Sequence, residues 1–102
     1  MSIPFAVSLR GGVAAMAAVN AEYRAEVAFM DEQLGRLFDS VRGHGLWDEA
    51  LLIVVADHGE LLGEHRVLGH GGRLDPELVE VPLIVKFPHQ RKAATVDELV
   101  SI

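Results

Sequence analysis

The sequence predicts an α/β fold, on three observations. Apolar residues recur at three- and four-residue steps between Asn20 and Arg42, the period of one helix face. Two short, largely β-branched runs follow, Leu51–Ala56 and Val81–Phe87. Continuous apolar runs of that length read as strands buried on both faces, as in a parallel sheet. The segment between them, some two dozen residues, is rich in Gly and His.

The helical stripe comprises Tyr23, Val27, Met30, Leu34, Leu37, Phe38 and Val41, and it predicts the face turned to the core. Arg24, Glu32, Arg36, Asp39 and Arg42 fall mostly on the other side, with Glu32 and Arg36 spaced as an i,i+4 ion pair. Gly43 and Gly45 offer left-handed stop positions. The Ala-rich stretch Val13–Val19 either extends the helix backwards or frays. After a turn around Trp47 and Asp48 comes the first strand, Leu51–Ala56. The second, Val81–Phe87, has Pro82 near its start, where a missing N–H is tolerated. Between them, Asp75-Pro76-Glu77 predicts an N-cap and one or two helical turns through Val79. Thr95 and Glu98 have capping-box spacing and predict a third helix opening near the end of the sequence.

Composition bounds the function. The 102 residues suffice for one small domain with a thin core. Half are hydrophobic and 24% charged, the balance of a globular protein rather than a disordered one. A net charge of −6, with no basic stripe, argues against nucleic-acid binding. Without cysteine there is neither a disulfide framework nor a thiolate metal site. No run approaches the roughly 18 apolar residues that span a bilayer. Arg10 and Gly11-Gly12 interrupt the apolar start, so no targeting signal is read there and no compartment is assigned.

The chemistry concentrates in Asp57-His58-Gly59-Glu60-Leu61-Leu62-Gly63-Glu64-His65 and Gly69-His70-Gly71-Gly72. Asp57 is the first polar residue after a strand, where open α/β sheets bind their ligands. A carboxylate and an imidazole side by side can turn toward one cation if the chain bends, and Gly59 permits a bend that a Cβ would oppose. Oxygen with imidazole suits zinc or manganese without excluding calcium or magnesium. The dipeptide alone is equally compatible with an Asp that caps the next turn. His65 and His70 taken singly read as hydrogen-bonding surface histidines, and Arg73 as a solvated arginine.

From Tyr23 to Val100 the chain resembles the sulfatase family of the alkaline phosphatase superfamily. The likeness lies in Tyr23, in Asp31-Glu32-Gln33-Leu34-Gly35-Arg36-Leu37 and in Gly45-Leu46-Trp47-Asp48. It continues through Ala56-Asp57-His58-Gly59-Glu60, Leu62-Gly63-Glu64-His65 and Val81-Pro82-Leu83-Ile84-Val85. In that family the Asp and the adjacent His or Asn bind the active-site divalent metal, a role that carries to Asp57 and His58. The resemblance implies calcium first, with manganese, magnesium or zinc as alternatives. Twelve residues beyond His58, many sulfatases place a lysine that contacts the sulfate and the leaving-group oxygen; here that position is His70. A protonated imidazole can neutralise an oxyanion and donate a proton, whereas a neutral one can serve as a further metal ligand. Glu64 and His65 are assigned to the surroundings of the ligands or to loop structure.

The resemblance also implies an alkaline-phosphatase-like mixed, mostly parallel sheet flanked by helices. Residues 20–102 would form part of the catalytic domain, and 1–19 an unassigned N-terminal segment. Sulfatases make their formylglycine nucleophile from a Cys/Ser-x-Pro-x-Arg motif. There is no Cys, and Ser2, Ser8 and Ser40 are not followed by that pattern. The expectation is therefore the metal-site portion of a hydrolase of small-molecule or carbohydrate sulfate esters. It would lack the amino-terminal half of the catalytic domain and would not turn over alone. The rivals are a phosphodiesterase, phosphonate monoester hydrolase or phosphoglycerol transferase of the same superfamily, and a non-catalytic remnant or interaction module.

Overall fold

The computed structural model describes residues 7–8 and 13–102. Helix α1 runs Val13–Gly43, so the Ala-rich stretch extends the helix rather than fraying from it. Thirty-one residues make a rod of roughly 46 Å, which accounts for most of the 51 Å long axis. The exposed pair Glu32–Arg36 closes at 2.7 Å, as its spacing predicts. Gly45 ends the helix in the left-handed region, at φ 72°. The Leu46 N–H reaches the Val41 carbonyl at 3.0 Å and the Gly45 N–H the Arg42 carbonyl at 2.9 Å. Those two bonds satisfy carbonyls that the helix would otherwise leave open. Gly43 itself stays helical.

The apolar stripe of α1 is less buried than its periodicity predicts. Leu34, Phe38 and Val41 are half-buried, whereas Tyr23, Val27, Met30 and Leu37 are exposed. In the later part of the helix Phe38 meets the Trp47 ring edge-on, at 5.7 Å between centroids.

Five short strands, one short α-helix and a 3-10 turn at Glu64–Arg66 follow or flank the helix. Strand β1 is Val7–Ser8, β2 Leu52–Val55, β3 Leu61–Leu62 and β4 Val67–Gly69. Helix α2 is Pro76–Val79 and strand β5 Leu83–Lys86. Strands β1, β4 and β3 form one antiparallel sheet in that order, and β2 and β5 form a second. The α/β class stands, but the two apolar runs pair with each other antiparallel, Leu52 opposite Lys86 through Val55 opposite Leu83. Nor is β2 buried on both faces: Leu52 and Val54 are half-buried, while Ile53 and Val55 are exposed. Across the ladder the burial is mixed: Ile84, opposite Val54, is exposed, and Val85, opposite Ile53, is half-buried.

One further expectation is corrected, and another holds without its side-chain bond. Residues 90–102 contain no helix, and Val96, Leu99 and Ile102 are exposed. A capping-box spacing satisfies two N–H groups, but a short helix without a packed face does not recover the cost of nucleation. Asp75 does occupy the N-cap of α2, with Pro76 just inside, yet its side chain makes no capping bond. Arg73 holds that carboxylate instead.

Among the described residues the buried apolar side chains are Leu61 and Leu78. Leu61 opens β3 and Leu78 lies in α2, so the best-packed point of the described chain adjoins the Asp57–His70 segment.

Candidate metal centre

Strand β2 delivers Asp57 and His58 just past its carboxyl end, as the sequence predicts. The His58 backbone N–H donates to Asp57 Oδ1 at 2.9 Å, folding the carboxylate back toward its neighbour. Asp57 Oδ1 and His58 Nε2 then stand 3.8 Å apart. His58 Nδ1 lies 2.8 Å from the Gly59 carbonyl. A carbonyl can only accept, so Nδ1 carries the proton and the Nε2 lone pair is left facing outward. The same bond raises the His58 pKa above its usual value; partial burial opposes the shift, and the charges of Asp57 and Glu60 add to it.

Gly59 serves the site by its size rather than by an unusual backbone angle. Its N–H donates to the Leu78 carbonyl at 2.8 Å. A Cβ there would stand 1.9 Å from the Glu77 carbonyl oxygen. The strand end is thus pressed against α2, backbone to backbone, at the residue between His58 and Glu60.

His70 arrives from the hairpin β3–β4. In that hairpin Leu62 faces Leu68 and Leu61 faces Gly69. One rung further, where the ladder ends, Glu60 meets His70, and His70 Nδ1 lies 3.0 Å from Glu60 Oε2. The His70 ring stacks on that of His58, 4.1 Å between centroids with 30° between planes. Asp57, His58 and His70 line one open groove of about 350 Å³, together with Arg73 and Leu78.

Glu60 is the residue that the linear reading missed. It belongs with His58 and His70 to a set whose nearest ligand atoms all lie within 4.8 Å of one another. The hairpin signal could have found it, since Leu61-Leu62 and Val67-Leu68 around Gly63 place Glu60 across from His70.

Glu64 and His65 lie apart from this cluster. Glu64 accepts from the Leu62 N–H in the hairpin loop. His65 takes a positive φ of 55° and sets Nε2 3.3 Å from both carboxylate oxygens of Glu77. His65 therefore braces the hairpin against α2, while Glu64 closes the hairpin loop on itself. Arg73 is not free: it pairs with Asp75, its second contact at 3.1 Å. That hydrogen bond, with the charge attraction behind it, holds the Asp75 carboxyl below and the Arg73 guanidinium above their usual pKa values.

Comparison with known proteins gives this arrangement a family. The sulfatase family model matches residues 12–102. The chain belongs to the sulfatase family. It is 37% identical over 76 residues to the multifunctional alkaline phosphatase superfamily protein PehA of Trinickia caryophylli, covering 74% of this chain and 15% of that protein. It is 30% identical over 73 residues to the uncharacterized sulfatase YidJ of Escherichia coli K12, covering 72% and 14%. It is also 30% identical over 81 residues to the N-acetylglucosamine-6-O-sulfatase of Bacteroides thetaiotaomicron, covering 79% and 14%. The chain thus spans about one seventh of the length of these relatives. No solved structure matches it. As in the sequence reading, this sulfatase segment has mixed helix and strand, with small sheets rather than one continuous layer. No helix among the described residues is long and apolar enough to cross a membrane.

Proposed function

We propose that this chain carries the metal-binding portion of a sulfuric ester hydrolase, with Asp57 and His58 as ligands of a divalent cation. The observation that carries the reading is the position of this pair in a sulfatase-family chain. It follows strand β2 directly, with carboxylate oxygen and imidazole nitrogen 3.8 Å apart. Two atoms that bind one cation at about 2.2 Å each can be separated by that much at a wide ligand angle. The Nδ1 proton of His58 is committed to Gly59, so Nε2 is ready to donate its lone pair. Calcium is the first candidate, with manganese and magnesium as alternatives; zinc is considered below. Such a cation would polarise the ester and lower the pKa of the attacking group.

His70 contacts the anionic ester in this reading. Its ring shares the groove with Asp57 and His58, and in cationic form it would neutralise a non-bridging oxygen and return a proton to the leaving alkoxide. Glu64 and His65 maintain the hairpin that presents it. The nucleophile and further acidic ligands are assigned to sequence outside these 102 residues, so the chain alone is expected not to turn over. Substrates of this class are small-molecule or carbohydrate sulfate esters, and the sugar sulfatase among the relatives is compatible with the latter. A second reading, a phosphate or phosphonate ester, is favoured by the histidine at position 70 and by the relative called multifunctional.

Calorimetric titration with calcium and then manganese tests the proposal. Binding should be weak, because a single carboxylate and a single imidazole supply the charge and preorganisation. Asp57→Ala should weaken it by about tenfold or more. Tight calcium binding that survives Asp57→Ala would refute the assignment.

A further inference from the structure

We propose that His58, Glu60 and His70 form a second metal seat, selective for zinc, that uses His58 in competition with Asp57. Two imidazole nitrogens and one carboxylate oxygen converge to within 4.8 Å of one another. This is the donor set of an open zinc site, three protein ligands with a fourth position for water. Calcium prefers six to eight oxygens and gains little from two imidazoles.

The seat is organised by the backbone. The β3–β4 register brings Glu60 opposite His70. The Gly59 N–H, bonded to the Leu78 carbonyl, fixes the chain between His58 and Glu60. His58 donates its Nδ1 proton to Gly59, which selects the tautomer that presents Nε2 and matches the support commonly given to a metal-bound histidine. The His58 and His70 rings lie beside one another, 4.1 Å between centroids, and must swing off this stack for both in-plane lone pairs to meet one ion.

Tetrahedral zinc with bonds near 2.1 Å separates its ligand atoms by roughly 3.4 Å, so the three side chains must close inward. They can do so, because the His58 and His70 side chains are 44% and 41% exposed and Glu60 is held by no other side chain than His70. Asp57 Oδ1 lies outside the convergent set and accepts from the His58 N–H instead. Since His58 has one free nitrogen, zinc in this seat excludes a cation shared by Asp57 and His58, and it occupies the His70 ring as well. The exclusion rests on the metal reading proposed above; the zinc seat does not.

Zinc chloride titrated into the 102-residue chain tests both parts, with far-ultraviolet dichroism to verify that each variant keeps its helix. Glu60→Gln and His70→Ala should each weaken zinc binding about tenfold or more, and Asp57→Asn should weaken it less, by about fivefold or under, through loss of a nearby charge. Zinc affinity unchanged in both Glu60→Gln and His70→Ala would overturn the seat, as would a loss in Asp57→Asn equal to that in Glu60→Gln. Calcium titrated into the zinc-loaded chain should bind at least about tenfold more weakly than into the metal-free chain, and undiminished calcium binding would overturn the shared use of His58. Failure of the Asp57–His58 assignment is seen separately, in calcium titrations without zinc.

Discussion

Replacing Gly59 with alanine should damage the fold and the site together. The added Cβ would sit 1.9 Å from the Glu77 carbonyl oxygen and 2.9 Å from its carbon, both backbone atoms. A comfortable carbon–oxygen contact is about 3.3 Å, so the two segments must part by roughly 1.4 Å. That movement carries the Gly59 N–H, now 2.8 Å from the Leu78 carbonyl, out of hydrogen-bond range. Overpacking costs about 1–3 kcal/mol and the lost bond about 0.5–1.5, for a total near 2–4 kcal/mol. With a urea dependence of about 1–3 kcal/mol per molar, the unfolding midpoint should drop by about 1–2 M. Trp47 fluorescence and far-ultraviolet dichroism would follow the transition. Gly35→Ala is the control: its Cβ would meet nothing within 4 Å in the middle of α1, so it should gain about 0.8–1 kcal/mol from helix propensity. A Gly59→Ala midpoint within about 0.3 M of the parent would show that the contact with Glu77 does not constrain the molecule.

Two further outcomes follow from the same structure. Asp75 and Asp48 are held below the usual carboxylate pKa by hydrogen bonds from Arg73 and Arg91. Their contribution is therefore complete above the ordinary carboxylate value and is lost as pH falls through the lowered one. Arg73→Gln should flatten the acid limb of a stability–pH profile below about pH 4, and an unchanged limb would remove the pair from the account. In an enzyme that carries this segment within a complete catalytic domain, His70→Ala should lower turnover about 10²–10³-fold while His70→Lys retains much of it. Metal content is measured in parallel. Parental turnover in His70→Ala would make the residue a loop element only.

The legible parts of the molecule were those written in local chemistry. Helix α1, its Gly45 stop and its Glu32–Arg36 pair follow from spacing alone. The two β-branched runs became strands close to their expected places. Their direction was not legible, because a continuous apolar run carries no period-two pattern to mark which face is covered or which neighbour it pairs. Thr95 and Glu98 show the converse failure: a local signal with no tertiary partner produced no helix. At the site, Asp57 and His58 could be placed because a strand ends beside them. Glu60 was missed because its relation to His70 runs across the hairpin, ten residues away in sequence, and only the hairpin pattern around Gly63 points to it.

Among the described residues the site and the core adjoin, and this ties affinity to stability. Leu61 follows Glu60 directly, and Leu78 supplies the carbonyl that holds Gly59. Elsewhere the described chain is thinly packed: its radius of gyration is 17.2 Å, against about 13 Å for a compact domain of this length. The hairpin that aligns Glu60 with His70 therefore depends on two buried leucines and a few backbone bonds rather than on a deep core. A cation bound only by the aligned ligands stabilises that alignment, and by the same linkage any loosening of Leu61 or Leu78 lowers the affinity for the cation. A glycine between two ligand positions, pressed against a peptide of α2, makes this coupling short. The strain that a Cβ would introduce at Gly59 reaches His58 on one side and Glu60 on the other without passing through any intervening residue.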